Sequence, residues 1–370
     1  MLKKLKGLAK NILAITWVRK FYEGVTRALL EVFASNRVLA FFYSIVGFLT
    51  FNREQYAVLR ARRNYYRNLK RESRSHVGLR RNIHRLEKGM SMQPLREVFA
   101  EDYIGETIEF YERAVATYRE RPDLVDSSEL EWAHDVLRRF FDITGSSEKL
   151  DKARLDFKGV DFSYQAEEEK APFTSQDRKE PAVQYDALLA LSMRRRSVRW
   201  FQSKPVPREL IDKALMVGRQ SPTACNRLPY EFRVFDEPEL VEKVAGIPFG
   251  AGGYSHQIPT IIVVVGKLDS YFSPRDRHAI YIDASLAAMP FMMALETQGL
   301  SSSVINWPDF EPLELKMQRT IGLDPADRVV MLIAVGYPDP EGVIPYSQKK
   351  SLDTMRSYNQ IGQSKDRQAD

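Results

Sequence analysis

The sequence predicts an α+β protein in which a central sheet with helices on both faces follows a region that is helical throughout. Apolar residues recur at helical spacing across residues 1–150. A polar, charged segment broken by prolines follows in residues 151–182, and from residue 183 short β-branched runs alternate with helical stretches. We therefore divide the chain into a basic helical N-terminal region (1–150), a linker (151–182) and an α+β domain (183–370).

Length and composition are those of a folded chain of 370 residues that has room for two domains. Lysine and arginine outnumber aspartate and glutamate by 55 to 49, which gives a net charge of +6 that is unevenly distributed. The single cysteine, Cys225, excludes an intrachain disulfide and a cysteine-based zinc cluster. This cysteine usage suits a reducing compartment, and we expect a cytoplasmic protein.

Helix signals are clear in the N-terminal region. Residues 104–121 and 127–145 carry apolar residues at helical spacing, and the second stretch opens with serines and closes on Gly145. Residues 84–92 are typical of a turn after a helix that stops at Gly89. His84 and Glu87 lie three apart on one helix face there, and we interpret them as structural because two such residues do not make a metal site.

The N-terminus also raises the question of a membrane. The most apolar segment, residues 38–51, is shorter than the roughly 18 residues that a spanning helix needs, so a buried helix and a helix in the membrane surface both remain open. The first 17 residues are basic and then apolar, as in a signal peptide, but no small-residue cleavage site follows. We interpret them as an amphipathic helix, which allows peripheral contact at the inner face of the membrane.

Residues 60–88 are strongly basic and contain only two acidic residues. A solvated helix face with ion pairs to the acidic helices that follow is the interpretation we favour, with contact to anionic lipid as the alternative. Nucleic acid is the least favoured partner, because no recognised binding motif surrounds Tyr65 and Tyr66.

The C-terminal half shows an alternation of helices and strands. Amphipathic or apolar stretches predict helices at residues 185–196, 206–220, 237–247, 277–300 and 311–323. Runs rich in β-branched and aromatic residues predict strands at residues 230–235, 260–268, 301–307 and 327–338.

Three stretches of this half carry candidate chemistry. Arginines at 194–196 end a helix, and Ser197 and Arg199 point the same way in the extended segment after it, where they could grip a phosphate. A basic helix end also complements the helix dipole, so this cluster alone is weak evidence. The loop 221–230 places the amide of Asn226, which donates and accepts as the edge of a flavin or pyrimidine ring requires. A strand ending in Gly-Tyr-Pro is then followed by the basic pair of "QKKSLD".

Taken in this order, residues 186–356 resemble the FMN-dependent nitroreductase family. The resemblance rests on four ordered motifs: "RRSVRWF", "PTACNRLPY", "DASLAAMPFMMALETQGL" and "IAVGYP". It does not extend to the N-terminal half. It implies a nitroreductase-like fold with a central mixed sheet, and an intimate homodimer that binds FMN at the subunit interface.

The resemblance also implies a set of FMN-binding residues. The opening motif, whose residues hold the FMN phosphate, ribityl chain and pyrimidine edge, matches at Arg195, Arg196, Ser197 and Arg199. Arg199 would stabilise the negative charge that appears when the flavin is reduced. The loop motif matches at Asn226, which faces the isoalloxazine edge, and at Pro222 and Thr223, which reach the flavin of the other subunit. Two looser matches are Asn306 beside the ring and Lys349 near the phosphate.

Two departures from the family pattern lie in the loop, where Leu228 replaces the usual glutamine and Tyr230 the usual tryptophan. One polar contact near the flavin is therefore missing or moved. We interpret Cys225 as a small loop residue rather than a nucleophile, because no histidine or carboxylate near it in sequence would activate it.

The predicted function is that of a flavin-dependent oxidoreductase, in which NAD(P)H delivers hydride to FMN N5 and a small-molecule acceptor takes the electrons. The resemblance requires no catalytic acid or base and no metal. One alternative is a membrane-associated binding or regulatory protein that uses the fold structurally. Another is a variant enzyme, since relatives of this fold dehydrogenate, dehalogenate or break rings, with the helical half as a cap that restricts the substrate.

Overall fold

The computed structural model describes residues 16–36, 38–40, 42, 49–69, 76–165 and 168–361. The helices of these residues are α1 Thr16–Phe33, α2 Leu49–Asn68, α3 Val77–Met90, α4 Ile104–Glu120, α5 Ser127–Ile143, α6 Glu148–Gly159, α7 Tyr185–Arg194, α8 Arg208–Gly218, α9 Pro238–Ala245, α10 Ala279–Thr297, α11 Glu311–Ile321 and α12 Leu352–Met355. The strands are β1 Tyr230–Phe235, β2 Thr260–Lys267, β3 Ser301–Asn306 and β4 Asp327–Gly336. The fold is α+β with a helical N-terminal part, as the sequence predicts.

The sheet has the strand order β1-β2-β4-β3, and neighbouring strands are antiparallel. In the register, Thr260 pairs with Val335 and Ser301 with Gly336, so β2 and β3 begin where β4 ends. The parallel element is a single bridge from Ser197 to Ser302, which adds the segment after α7 beside β3.

Helices cover both faces of the sheet because side chains alternate along its buried strands. Ile261, Val263 and Val265 face the core under α9 and α11, whereas Ile262 and Val264 face α8 and α10. Residues 274–297, which include α10, are long and apolar enough to cross a membrane by length and composition alone, but half of that stretch is buried inside the protein. We therefore assign α10 to the core.

The helices α3 to α6 enclose a core of their own, with Leu86, Tyr111 and Phe140 fully buried. The helix α6 corrects the predicted linker, because residues 151–159 are helical. Ser147 caps this helix by accepting the Leu150 N–H. The helix buries few apolar residues, and the rest of its surface is polar, which is why its sequence resembles a linker. The next residues pack on the same core through the rings of Phe162 and Tyr164.

The helix α3 passes through Gly89, the predicted stop, and ends at Met90. A Cβ at position 89 would lie 2.3 Å from the Phe99 ring, so close packing rather than helix termination requires glycine there. His84 Nδ1 lies 3.5 Å from Glu87 Oε2, and the Trp132 indole donates to Glu87 Oε1 at 2.9 Å. These contacts give His84 and Glu87 the structural role that the sequence suggested.

The arginines of α2 dock the N-terminal region on the α+β domain. Arg53 contacts Glu311 at 2.5 Å and Glu314 at 2.6 Å, and Arg60 lies 3.4 Å from Asp324. Within residues 60–88, Arg80 pairs with Glu129 on α5, so part of this charge is paired with an acidic helix that follows, as the favoured interpretation expected. The segments 1–15, 43–48 and 70–75 lie outside the described residues, so the two interpretations of residues 38–51 both stand.

Candidate functional site

The arginine-rich segment, residues 194–199, begins at the last residue of α7 and is fixed to the edge of the sheet beyond β3. Ser197 pairs with Ser302, and the Val198 N–H donates to the Ser302 carbonyl at 3.1 Å. Phe201 pairs with Pro338 just past the end of β4. These backbone pairings hold the segment on rigid strands and so position its side chains.

Several hydrogen-bonding groups of this segment are unused. The Arg195 Nε is buried and has no hydrogen-bond partner in the described part of the chain, and the same holds for the hydroxyl of Ser302. Arg196 turns back to its neighbour, where Nη1 donates to the Arg195 carbonyl at 2.9 Å. Arg199 is exposed, with its guanidinium 6.0 Å from the centre of the Tyr254 ring. Free donors beside an exposed guanidinium form an anion-binding surface.

Arg194 is exposed, but its guanidinium also contacts a carboxylate. Its Nε lies 3.4 Å from Oε2 of Glu296, a buried carboxyl near the end of α10. Burial raises the pKa of Glu296, and the guanidiniums of Arg194 and Arg195 oppose that shift. This contact holds the end of α7 to the end of α10.

The loop 221–228 has an unusual backbone. Cys225, Asn226 and Leu228 adopt φ angles of 55°, 49° and 46°, in the left-handed region. That region costs residues with a Cβ roughly 1–2 kcal/mol each, so surrounding contacts must hold it. Thr223 supplies two of them: its hydroxyl accepts the Leu228 N–H at 3.1 Å and its carbonyl accepts the Asn226 N–H at 3.0 Å.

The helix α10 anchors this loop through Asp283. The Oδ2 atom of Asp283 accepts the Ala224 N–H at 3.0 Å and the Tyr271 hydroxyl at 2.9 Å. Burial raises the pKa of Asp283, and these two hydrogen bonds to the carboxylate oppose the shift. One turn further along α10, the Leu286 carbonyl accepts the Ser221 hydroxyl at 3.0 Å.

The N-terminal region touches the same loop through α3. The Arg80 Nε donates to the Asn226 carbonyl at 2.9 Å, while its Nη1 lies 3.5 Å from Glu129 on α5. A cleft of about 540 Å³ lies between these helices and the loop. Its lining includes Asn64, His76, Arg80, Glu129, Arg227 and Leu228.

The arginine-rich segment and the loop contact opposite ends of α10. Ala224 bonds to Asp283 near its start, and Arg194 contacts Glu296 near its end. The two α10 residues are 13 positions apart, which at 1.5 Å per residue is about 20 Å. The loop and the segment are therefore anchored to α10 at points about 20 Å apart.

The structure does not join the remaining predicted residues to the arginine-rich segment. Asn306 ends β3 opposite Met331, four residues or about 13 Å along the strand from Ser302. Lys349 is exposed in the irregular stretch before α12, and its ammonium forms no ion pair with a described residue. Pro222 is exposed at the start of the loop.

Sequence reasoning missed two residues that build the loop. Asp283 left a signal, since it is a single carboxylate within an otherwise apolar stretch of α10. Arg80 left none, because its contact depends on how two distant parts of the chain dock. Across the described ranges no three histidine, cysteine or acidic residues form a group that could hold a metal ion.

Comparison with known proteins identifies the family. The profile of the nitroreductase family matches residues 193–252 and 254–337. A Methanothermobacter thermautotrophicus protein, named for NADH dehydrogenase and NAD(P)H nitroreductase activity, is 31% identical over 44% of this chain and 74% of its own length. The chain belongs to the nitroreductase family.

Other similarities of this nitroreductase-family chain are more distant. Iodotyrosine deiodinase 1 of Pongo abelii is 22% identical over 60% of this chain and 84% of its own length. An FMN-dependent nitroreductase structure from Clostridium difficile has 20% identity and a TM-score of 0.40, over 47% of this chain and 99% of that one. The residues that the family profile matches contain the arginine-rich segment, the loop 221–228 and Asn306, but neither Lys349 nor residues 1–192.

Proposed function

We propose that this nitroreductase-family oxidoreductase binds FMN through its arginine-rich segment. The observation that carries the proposal is the buried, unpartnered Nε of Arg195 beside Arg196 and Ser197. Guanidinium and hydroxyl donors fit the phosphate and ribityl oxygens of FMN, which accept hydrogen bonds. Arg199 supplies an exposed cation for the pyrimidine edge, where negative charge develops on reduction.

Bound FMN would supply the redox chemistry, taking hydride from NAD(P)H at N5 and passing electrons to a small-molecule acceptor. The relative named for NAD(P)H activity supports this choice of donor. The side chains of the protein would bind and orient the flavin, and none has to act as an acid or a base. With one cysteine in the sequence, the protein suits the reducing cytoplasm.

A homodimer completes the site in this proposal. The loop 221–228 and the arginine-rich segment contact α10 at residues about 20 Å apart, so we infer that they serve two different flavin rings rather than one within a chain. A two-fold partner would place its own loop against this chain's arginine-rich segment. By symmetry, this chain's loop would lie against the partner's arginine-rich segment. Pro222, Thr223 and Asn226 would then act across the interface.

Absorbance spectra of the purified protein, taken before and after anaerobic addition of NADH or NADPH, test the proposal. We expect a bound yellow flavin that bleaches with at least one donor. Bound flavin that resists both donors would favour the alternative, a binding or regulatory protein that keeps FMN structurally. A colourless protein that cannot be reconstituted with FMN would refute the assignment of the FMN site.

The variant Arg199→Ala tests the role of that cation. We expect weaker FMN retention or slower reduction, by about tenfold, because one charge-assisted contact is lost. Arg208→Ala removes another exposed arginine, which pairs with Asp236 away from the site, and it should leave both properties unchanged. Wild-type FMN content and reduction rate in Arg199→Ala would refute the role.

Reductive dehalogenation is a second candidate, favoured by the match over most of the length of iodotyrosine deiodinase 1. In that reaction two electrons from the nicotinamide donor and a proton replace aryl iodide by hydrogen and release iodide. Iodide release from 3-iodotyrosine under anaerobic turnover would support it. No release, with turnover of a nitroaromatic acceptor, would leave the first candidate alone.

The helical N-terminal region would cap the site. Arg80 bonds to the loop carbonyl of Asn226, and the cleft of about 540 Å³ is large enough for a small-molecule acceptor. Leu228, which stands where the family has glutamine, lines this cleft and makes its wall more apolar. The cap would thereby restrict which acceptors reach the flavin.

A further inference from the structure

The helix α1 carries an exposed apolar row. Trp17, Phe21, Val25 and Leu29 follow one another at four-residue spacing and are 71%, 69%, 43% and 45% exposed. Residues four apart share a helix face, so the row is continuous over about 18 Å. An aromatic and aliphatic surface of this length on a helix indicates a contact with another apolar phase.

The basic composition of the sequence that contains the row indicates the kind of surface. Residues 1–33 contain seven basic residues and only two acidic ones. The basic residues are Lys3, Lys4, Lys6, Lys10, Arg19, Lys20 and Arg27, and the acidic ones are Glu23 and Glu31. This excess complements anionic lipid headgroups, to which an amphipathic helix adds its apolar face.

The other basic helices are less suited to this role. Arg53 and Arg60 of α2 form ion pairs with the α+β domain, and Arg80 of α3 is held by Glu129 and the loop 221–228. These three guanidinium groups are therefore paired within the molecule. The same contacts fix α2 to the α+β domain. Binding of α1 to a surface would therefore keep the candidate flavin site close to that surface.

We propose that α1 lies in the plane of an anionic bilayer, with the row of Trp17, Phe21, Val25 and Leu29 facing the acyl chains. Its 18 residues include arginine, lysine and glutamate, so it would lie on the membrane rather than cross it. Tryptophan at the headgroup level fits this placement. The surface would be the inner face of the membrane of a cytoplasmic protein.

Flotation of the full-length protein with lipid vesicles tests the proposal. We expect binding to vesicles that mix phosphatidylglycerol with phosphatidylcholine, weaker binding to phosphatidylcholine alone, and a decrease with salt. The double variant Trp17→Ser/Phe21→Ser should lower the partition coefficient by tenfold or more, roughly what losing two interfacial aromatics predicts. Phe173→Ser, which alters a similarly exposed phenylalanine in the segment between the two halves, should bind as wild type does.

Three outcomes would overturn the proposal. One is failure of the wild-type chain to float with anionic vesicles. Another is undiminished flotation of the double variant, which would place the lipid contact elsewhere. The third is a wild-type chain that ignores vesicles but loses mass in sedimentation when the row is changed, because a second copy would then be the occupant. Unfolding temperatures of all variants confirm that the fold is intact, since the altered side chains are exposed.

Discussion

Asp283 of the core helix α10 joins that helix to the loop 221–228 through its side chain. Its Oδ2 accepts the Ala224 N–H and the Tyr271 hydroxyl, and the carboxyl itself is buried. A loop with left-handed residues is held by such contacts rather than by its own preferences. The conformation of the loop therefore depends in part on an acceptor outside it.

Replacing that acceptor should loosen the loop. Asp283→Ala removes the acceptor of the Ala224 N–H and of the Tyr271 hydroxyl, at a cost of about 1–3 kcal/mol for the buried hydroxyl. We expect a lower unfolding temperature and weaker FMN binding, measured by thermal unfolding and flavin titration. Asp283→Asn keeps an acceptor oxygen and should lie closer to wild type. Equal unfolding temperatures for wild type and Asp283→Ala would contradict the role.

Arg80 reaches the same loop from the N-terminal region. Arg80→Met keeps much of the side-chain bulk and removes the Nε–H that donates to the Asn226 carbonyl. We expect the KM for a nitroaromatic acceptor to change several-fold while the rate of flavin reduction by nicotinamide stays the same, because the cap faces the acceptor. Arg67→Met alters another arginine of this region and serves as the control. An unchanged KM would argue against the cap.

At the scale of elements, the sequence predicts much of the α+β domain. The strands β1 to β4 end within two residues of their predicted limits, because β-branched runs bounded by turn residues favour buried strands. The order β1-β2-β4-β3 was not predictable, since pairing joins residues far apart in the chain. The helix α6 was missed because it buries few apolar residues beneath a charged surface, which resembles a linker.

The turn at residues 268–270, which packs under α2, gives a pH dependence to this junction. Burial, with the nearby carboxylate of Asp327, raises the pKa of Asp269 to about 6. Between about pH 4 and 6 the unfolded chain has lost this proton while the folded chain retains it, so the free energy of unfolding falls as the pH rises.

Asp269→Asn should remove that fall, because the amide is neutral at every pH. We expect similar stabilities of variant and wild type near pH 4, and a variant more stable by about 3 kcal/mol near pH 7. Urea unfolding at a series of pH values measures the difference. Asp212→Asn, at an exposed position of α8, is the control and should show no such trend. A constant difference between Asp269→Asn and wild type would rule out titration of this carboxyl.

At the scale of the whole molecule, the arginine-rich segment and the loop 221–228 contact α10 near its opposite ends, and we propose that each is half of a flavin site. The four motifs revealed the residues and their order along the chain, but not that α10 would hold Arg194 and Ala224 at opposite ends. Nor could they show that α3 would dock on the loop, because the contact of Arg80 leaves no local pattern. The family profile begins at residue 193, so it gives no guide to the contact between the helical region and the loop.

Subunit mixing tests whether the two halves meet between chains. Arg199→Ala damages one half, and Asn226→Gly removes the amide of the other while glycine tolerates the φ of 49°. In a mixed dimer, the intact arginine-rich segment of one subunit faces the intact loop of the other, and both defects fall together in the second site. Equal mixing makes half of the dimers mixed, so about a quarter of all sites should regain wild-type FMN binding. Measured by flavin absorbance after co-refolding or co-expression, no recovery above the two separate variants would mean that each site is built within one chain.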